Sequence, residues 1–300
     1  MSSLKPWLSA IRLRTLPLSI SGIIVGTCFA TYNGFFNIFI FILAILSAIS
    51  FQILSNLAND YGDGTKGTDN DTRIGPERAI QSGAITPDQM FEAIKINILA
   101  IILFVFLLIY IAFGKSHFLY SMFFIILAGI SVYAAMKYTM GNSAYGYRGL
   151  GDVFVFIFFG IVSVVGSYFL YTCHLDHHVF LPAIVIGLLS VGVLNLNNMR
   201  DIESDQQSNK ITLAVKLGKK KAKIYHVALI SSAIIISILF SLLYYSRLTN
   251  FLCFLAYVPL ILHIRSVINA KEPSDFDPQL KVLALTTFVF SLLLGLGYIL

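Results

Sequence analysis

The chain has 300 residues, 57% of them hydrophobic and 12% charged, with a mean hydropathy of +0.81. So little charge excludes a soluble domain of this size and sets the chain among polytopic membrane proteins. The net charge of +6 does not point to nucleic acid, because the basic residues fall on one side of the expected membrane spans.

A bilayer span needs roughly 17–25 apolar residues. Such runs recur nine times, at about 16–33, 38–58, 92–113, 118–137, 150–171, 179–198, 224–245, 250–268 and 282–300. The expected fold is all-α, a polytopic helical bundle forming one domain over residues 1–300. Of the 21 Lys and Arg residues, 19 lie on the same side as the N-terminus, and only Lys115 and Arg247 lie on the other. That asymmetry predicts a cytoplasmic N-terminus.

The chain opens with Lys5, Trp7, Arg12 and Arg14, an interfacial entry segment with no small-residue cleavage site. The first span is therefore expected to be retained, with Pro17 at its start. Gly22-Ile-Ile-Val-Gly26 is suited to close helix packing. The second span runs into Asn56-Leu-Ala-Asn-Asp60-Tyr-Gly-Asp63, and the sixth into Asn197-Asn-Met-Arg-Asp201-Ile-Glu-Ser-Asp205. Each motif sets an Asn four residues before an Asp, with a second Asp three or four residues later. On a helix these offsets bring the oxygens onto one face, a turn apart. Carboxylates close to hydrocarbon are costly, and a chain that accepts them twice in matching places is expected to hold a cation.

The intervening segments carry further polar residues. The loop from Tyr61 to Met90 is long and charged, and Thr86-Pro87-Asp88 reads as the capped start of the third span. Tyr133 and Lys137 share a helix face at the end of the fourth, and Asp152 falls in the first turn of the fifth. His174, His177 and His178 read as a solvated loop, and Lys219–Lys221 as a membrane-surface anchor. Cys28, Cys173 and Cys253 are too far apart for a disulfide framework or a zinc site. The recurrence of the acidic motif four spans apart suggests two related halves, about 16–137 and 150–268, plus a ninth helix, 282–300.

Asn56, Asp60, Asp63, Asn197, Asp201 and Asp205 offer only hard oxygen donors, which select Mg²⁺ or Mn²⁺. Mg²⁺ binds one or two carboxylates and completes its shell with water and phosphate oxygens, so the implied ligand is a phosphate ester. Lys66, Arg78, Lys137, Arg200 and Lys210 are candidates to neutralise it. Asp69, Asp71, Glu77, Asp88 and Glu203 are expected to pair with neighbouring cations instead. A diphosphate at the mouth of an apolar bundle points to a lipid substrate, and cleaving an allylic diphosphate requires stabilisation of the departing anion.

These residues resemble the UbiA-type intramembrane prenyltransferases, and among them the branch that prenylates 1,4-dihydroxy-2-naphthoate. The resemblance covers the whole chain. It rests on Arg12-x-x-Thr-Leu-Pro17, the motif from Asn56 to Asp69, and Arg73-Ile-Gly-Pro-Glu-Arg78-x-x-Gln81-x-Gly83. Tyr133-x-x-x-Lys137, Gly149-Leu-Gly-Asp152 and the motif from Asn197 to Asp205 complete it. Two positions depart from the family pattern: Gly67 stands where an acid is frequent, and Asp152 where Glu is common. The resemblance implies nine helices around a central cavity open to lipid. It also implies Mg²⁺-dependent transfer of a polyprenyl chain from its diphosphate to the naphthoate, with loss of CO₂. Asp63 or Asp152 would then accept the naphthol proton, and Arg12 or Arg148 would hold the substrate carboxylate. The alternatives are a 4-hydroxybenzoate prenyltransferase, a CDP-alcohol phosphotransferase, whose signature breaks at Gly67-Thr68, and a cation transporter, whose acids belong near the bilayer midplane.

Overall fold

A computed structural model describes residues 4–69 and 74–300; Asp71 and Arg73 lie outside the described residues. Among the described residues the fold is all-helical, with nine segments long and apolar enough to cross a membrane. They are α1 (Leu4–Tyr32), α2 (Ile38–Thr65), α3 (Pro87–Phe113), α4 (Phe118–Lys137), α5 (Gly151–Thr172), α6 (His177–Arg200), α7 (Leu213–Leu243), α8 (Leu248–Asn269) and α9 (Pro273–Ile299).

Several starts follow from local chemistry. Asn37 caps α2, its side-chain oxygen accepting from Phe39 N and Ile40 N. Thr86 and Gln89 form a reciprocal capping box at the head of α3, where Pro87 takes the first position. Thr212 caps α7 through Val215 N. Helix α1 is broken at Arg12, whose backbone is left-handed (φ 55°, ψ 62°), between Leu4–Ile11 and the short turn Leu13–Thr15. Non-glycine residues held there cost about 1–3 kcal/mol and concentrate at functional sites.

Two helices run past their hydrophobic stretches. Helix α2 continues through Asp60 and Asp63 to Thr65, so the first acidic motif lies within its last three turns rather than in a loop. Helix α7 begins at Leu213, well before residue 224, and changes direction at Gly218 (φ 75°, ψ 163°). Within α5, Phe156–Gly166 is wound as a π-helix, a rare form that clusters at functional sites.

The glycine pair of α1 does what its spacing predicts. A Cβ on Gly22 would lie 2.3 Å from Ser163 Oγ, and one on Gly26 only 1.9 Å from Ser167 Oγ. Only glycine lets α1 approach the π-wound face of α5 this closely. Of the three histidines expected in a solvated loop, His174 and His177 are exposed, whereas His178 packs edge-on against Phe29 and Tyr168, its Nδ1 2.7 Å from Asp176.

Three apolar clusters frame the interior. One joins α1 to α5–α9 through Phe29, Tyr168, Leu189 and Phe290, and a second joins α2 to α3 through Leu54, Met90 and Ile94. A third, with Ile23, Ala44, Leu108 and Leu170, packs α1, α2, α3 and α5 together. Between them lies a cavity of about 380 Å³, and members of the third cluster form its apolar end. Ala44, Ala48, Phe51, Ser55, Asn59 and Asp63 of α2 all face it, at spacings of three and four. Along this one stripe, roughly 28 Å long at 1.5 Å per residue, the lining passes from small and apolar to acidic.

Candidate active site

The polar end of the cavity is built from five segments. Helix α2 supplies Asn56, Asn59 and Asp63, and α6 with the short helix Ile202–Gln207 supplies Asn197, Asp201, Ser204 and Asp205. The break in α1 supplies Arg12 and Arg14, and the loops that follow α2 and the short helix Ile202–Gln207 contribute Asp69, Arg78 and Lys210. The two acidic motifs, far apart in sequence, thus face one space.

A lysine joins them. Lys210 Nζ donates to Asp63 Oδ2 at 2.9 Å and lies 3.7 Å from Asp205 Oδ1. Burial alone would lower this ammonium, but Asp63 and Asp205 hold it above the ordinary lysine range. The second oxygen of Asp63 accepts from Tyr147 Oη at 2.8 Å, and that hydroxyl also meets Thr68 Oγ1 at 2.6 Å. Burial, reinforced by Asp63, pushes the Tyr147 phenol up, so it remains a proton donor at neutral pH. With its amide turned to satisfy both neighbours, Asn59 donates to Asp63 Oδ2 at 2.9 Å and accepts from the Arg12 guanidinium at 3.2 and 3.3 Å.

On the other side, Arg200 is fully buried, bonding Asp201 through Nε and Nη2, Asn197 through Nη2, and Asp277 of α9 through Nη1. Asn56 is fixed by Gln52, which donates to it, and by the Ile11 carbonyl, which accepts from it at 2.7 Å. Arg78 approaches Asp69 at 3.9 Å.

Of the sequence-predicted residues, Arg12, Asn56, Asp63, Arg78, Asn197, Asp201, Asp205 and Lys210 line this space. The others are placed elsewhere. Asp60 is buried beside the cavity, its Oδ2 accepting from Ala79 N at 3.3 Å. Lys66 reaches across to the Thr139 carbonyl and lies 4.2 Å over the Tyr147 ring. Arg200 points away from the cavity into its carboxylate pair, so it positions Asp201 instead of meeting a ligand. Tyr133 is 64% exposed. The lining stripe of α4 passes through Leu127, Ser131, Ala134 and Ala135 and ends at Tyr138, which leaves Tyr133 and Lys137 off it. Arg148 is exposed, and its carbonyl accepts from Lys216 Nζ at 2.6 Å. Asp152 lies behind the wall and accepts from Tyr225 Oη at 3.2 Å, so it does not face the cavity.

Sequence reasoning passed over Asn59, Tyr138, Tyr145 and Tyr147. Asn59 carried a signal, since it stands four residues before Asp63 just as Asn56 stands four before Asp60. The tyrosines carried none that separated them from the abundant aromatics elsewhere.

The donor set suits a hard divalent cation. Asn56, Asn59, Asp63, Asn197, Asp201 and Asp205 present amide and carboxylate oxygens, and among the described residues no His or Cys lines the cavity. Asp60 Oδ1 is buried with no hydrogen-bond partner, an acceptor of the kind an ion or its water satisfies. Among the described residues no three acidic, imidazole or thiol side chains converge into a closed metal site. An ion held here would therefore complete its shell from a ligand's oxygens.

A family model described as the UbiA prenyltransferase family matches residues 19–292. The 1,4-dihydroxy-2-naphthoate octaprenyltransferase of Escherichia coli (strain K12) is 41% identical over 298 residues, covering 99% of this chain and 96% of the relative. Among solved structures, the apo UbiA homolog from Aeropyrum pernix K1 superposes with a TM-score of 0.69 at 15% identity, covering 94% of this chain and 96% of that one. The UbiA homolog from Archaeoglobus fulgidus bound to GPP and Mg²⁺ gives 0.61 at 12% identity, covering 98% and 99%.

Proposed function

The chain belongs to the UbiA prenyltransferase family, and we propose that it transfers a polyprenyl chain from polyprenyl diphosphate to 1,4-dihydroxy-2-naphthoate, releasing CO₂ and diphosphate and yielding demethylmenaquinol. The observation that carries this reading is a single cavity with two chemistries. Asp63, Asp205, Lys210, Arg12, Arg14 and Arg78 gather at one end, and an apolar lining with Ile23, Leu108 and Leu170 forms the other. A molecule with a highly charged head and a hydrocarbon tail matches both.

Asp63, Asp201 and Asp205, with the amide oxygens of Asn56 and Asn197, would hold Mg²⁺, as the hard donor set favours and as the Archaeoglobus fulgidus homolog with GPP and Mg²⁺ supports. Bound there, the ion supplies Lewis-acid stabilisation of the diphosphate as it leaves. Arg78 and Lys210 carry charge to the same leaving group, and Arg12 can take the acceptor's carboxylate. The allylic C–O bond breaks with its electron pair on the diphosphate. The electron-rich ring carbon that bears the carboxylate then attacks the allylic carbon. Loss of CO₂ returns the bonding pair to the ring and restores aromaticity. Asp63, the acid of the two proton-acceptor candidates that faces the cavity, takes the naphthol proton during attack and returns it as CO₂ departs.

The basic bias of the inner loops supports a site that opens to the cytoplasm from a bacterial inner membrane. The deciding experiment incubates purified protein with carboxyl-labelled dihydroxynaphthoate, a polyprenyl diphosphate and Mg²⁺. Labelled CO₂ in step with prenylated product is expected. Turnover of 4-hydroxybenzoate without turnover of the naphthoate would overturn the acceptor assignment.

A further inference from the structure

An aromatic run lines one wall of the cavity beside the acidic end. Tyr145 and Phe154 stack with centroids 3.9 Å apart and planes 20° from parallel. Tyr138 meets the Tyr145 ring edge-on at 5.4 Å, and Phe158 continues the stack beyond Phe154 at 6.2 Å. All four rings line the cavity. Tyr138 lies within electrostatic reach of Lys210, Asp63 and Asp205, which places this wall next to the charged head site.

The backbone around Tyr138 is shaped to seat its ring. A Cβ on Gly146 would lie 3.0 Å from Tyr138 Cε2 and 2.6 Å from its carbonyl oxygen; one on Gly151 would lie 3.1 Å from the same ring carbon. Gly146 and Gly151 are thus the clearance for this phenol. Burial pushes Tyr138 up to about 12 and raises Tyr145 as well, so both hydroxyls are neutral donors. Among the described residues neither hydroxyl has a hydrogen-bond partner.

We infer that this wall is the seat of the aromatic acceptor, its flat ring lying against Tyr145 and Phe154 and its ring oxygens accepting from the Tyr138 and Tyr145 hydroxyls. The inference rests on the proposed function and supplies its acceptor subsite. A hydrocarbon tail has no oxygen for two phenols to donate to, and a diphosphate is better matched by Arg78 and Lys210 at the charged end. A planar hydroxylated ring uses both the stack and the donors.

The test compares Tyr138→Phe, Tyr145→Phe and Tyr145→Leu with wild type. Dihydroxynaphthoate binding is followed by its fluorescence with no prenyl donor present, and steady-state KM is measured for each substrate. Tyr138→Phe keeps the ring between its glycines and should weaken acceptor binding about five- to tenfold. Tyr145→Leu should exceed Tyr145→Phe, because it loses the stack as well as the donor. KM for the prenyl diphosphate should stay within about twofold of wild type in all three, a split that mere loosening of the fold would not give. A raised KM for the prenyl diphosphate with unchanged acceptor binding would assign the wall to the tail and overturn the inference. A wild type that turns over no hydroxylated aromatic acid overturns the parent function instead.

Discussion

Lys210 and Asp63, 147 residues apart in the chain, meet at 2.9 Å, and the same ammonium lies 3.7 Å from Asp205. One cation therefore neutralises an acid from each motif and fixes the spacing of the two helix ends. Replacing it as Lys210→Met leaves two buried carboxylates without their shared partner. Removing one member of such a pair costs about 3–5 kcal/mol, and melting in detergent should show it. Asp63→Asn in the same background should restore part of the loss, because one of the two like charges is gone. The folded-state pKa of Lys210 is raised above its ordinary 10.5. The stability it contributes is therefore fully present below that value and is lost only as pH rises through the higher folded value. Between pH 6 and pH 9 the stability difference between wild type and Lys210→Met should hold steady as far as this lysine is concerned.

Tyr147 ties three loops to one carboxylate. Its hydroxyl bonds Asp63 and Thr68, its carbonyl accepts from Ile211 N at 3.3 Å, and its ring lies under Lys66. Tyr147→Phe keeps the ring and deletes the bond to Asp63. A hydrogen bond to a charged group contributes about 1.5–3 kcal/mol. The Mg²⁺ concentration for half-maximal activity should rise about tenfold or more, and the melting temperature should fall by several degrees. An unchanged Mg²⁺ dependence would show that Asp63 is held without Tyr147.

Chelation separates the metal assignment from the cavity's other features. EDTA should abolish prenyl transfer, and Mg²⁺ or Mn²⁺ should restore it, because the lining donors are all oxygen. Asp205→Asn should lower activity at least a hundredfold at saturating substrate with the fold intact. Full activity after exhaustive chelation would refute the assignment.

Much of the architecture was legible because hydropathy along a membrane chain is a strong signal. All nine spans fall where the apolar runs do, and α4 matches its expected bounds of 118–137. The ends of α2 and α7 were not legible, since helix continuity through Asp60 or Lys216 depends on neighbours rather than on hydrocarbon. The acidic motifs showed which side chains would converge, but not which way each would face. Tyr133 and Asp152 are the instructive misses: both stand in recognisable motifs, yet one faces outward and the other bonds Tyr225 behind the cavity wall.

That geometry makes its own prediction. Tyr133→Phe should keep activity within about twofold of wild type, because the hydroxyl touches no part of the cavity and exposed positions change little. A hundredfold loss on this substitution would place the phenol in the reaction after all.

The contact between α1 and α5 sets the shape of the cavity wall, and it admits no side chain at Gly26. A Cβ there would stand 1.9 Å from Ser167 Oγ and 2.4 Å from the Val164 carbonyl. The hydroxyl could rotate away, but the carbonyl belongs to the π-wound backbone and can move only with the helix. Gly26→Ala should therefore cost about 1–3 kcal/mol through overpacking and force α1 away from α5. Because Leu18, Ser19 and Ile23 of α1 and Ser163 and Ser167 of α5 all line the cavity, activity should fall along with the melting temperature. Adding Ser167→Ala relieves the side-chain clash but not the backbone one, so the double variant should recover only part of each. Full recovery would show that the carbonyl contact does not constrain the helix pair.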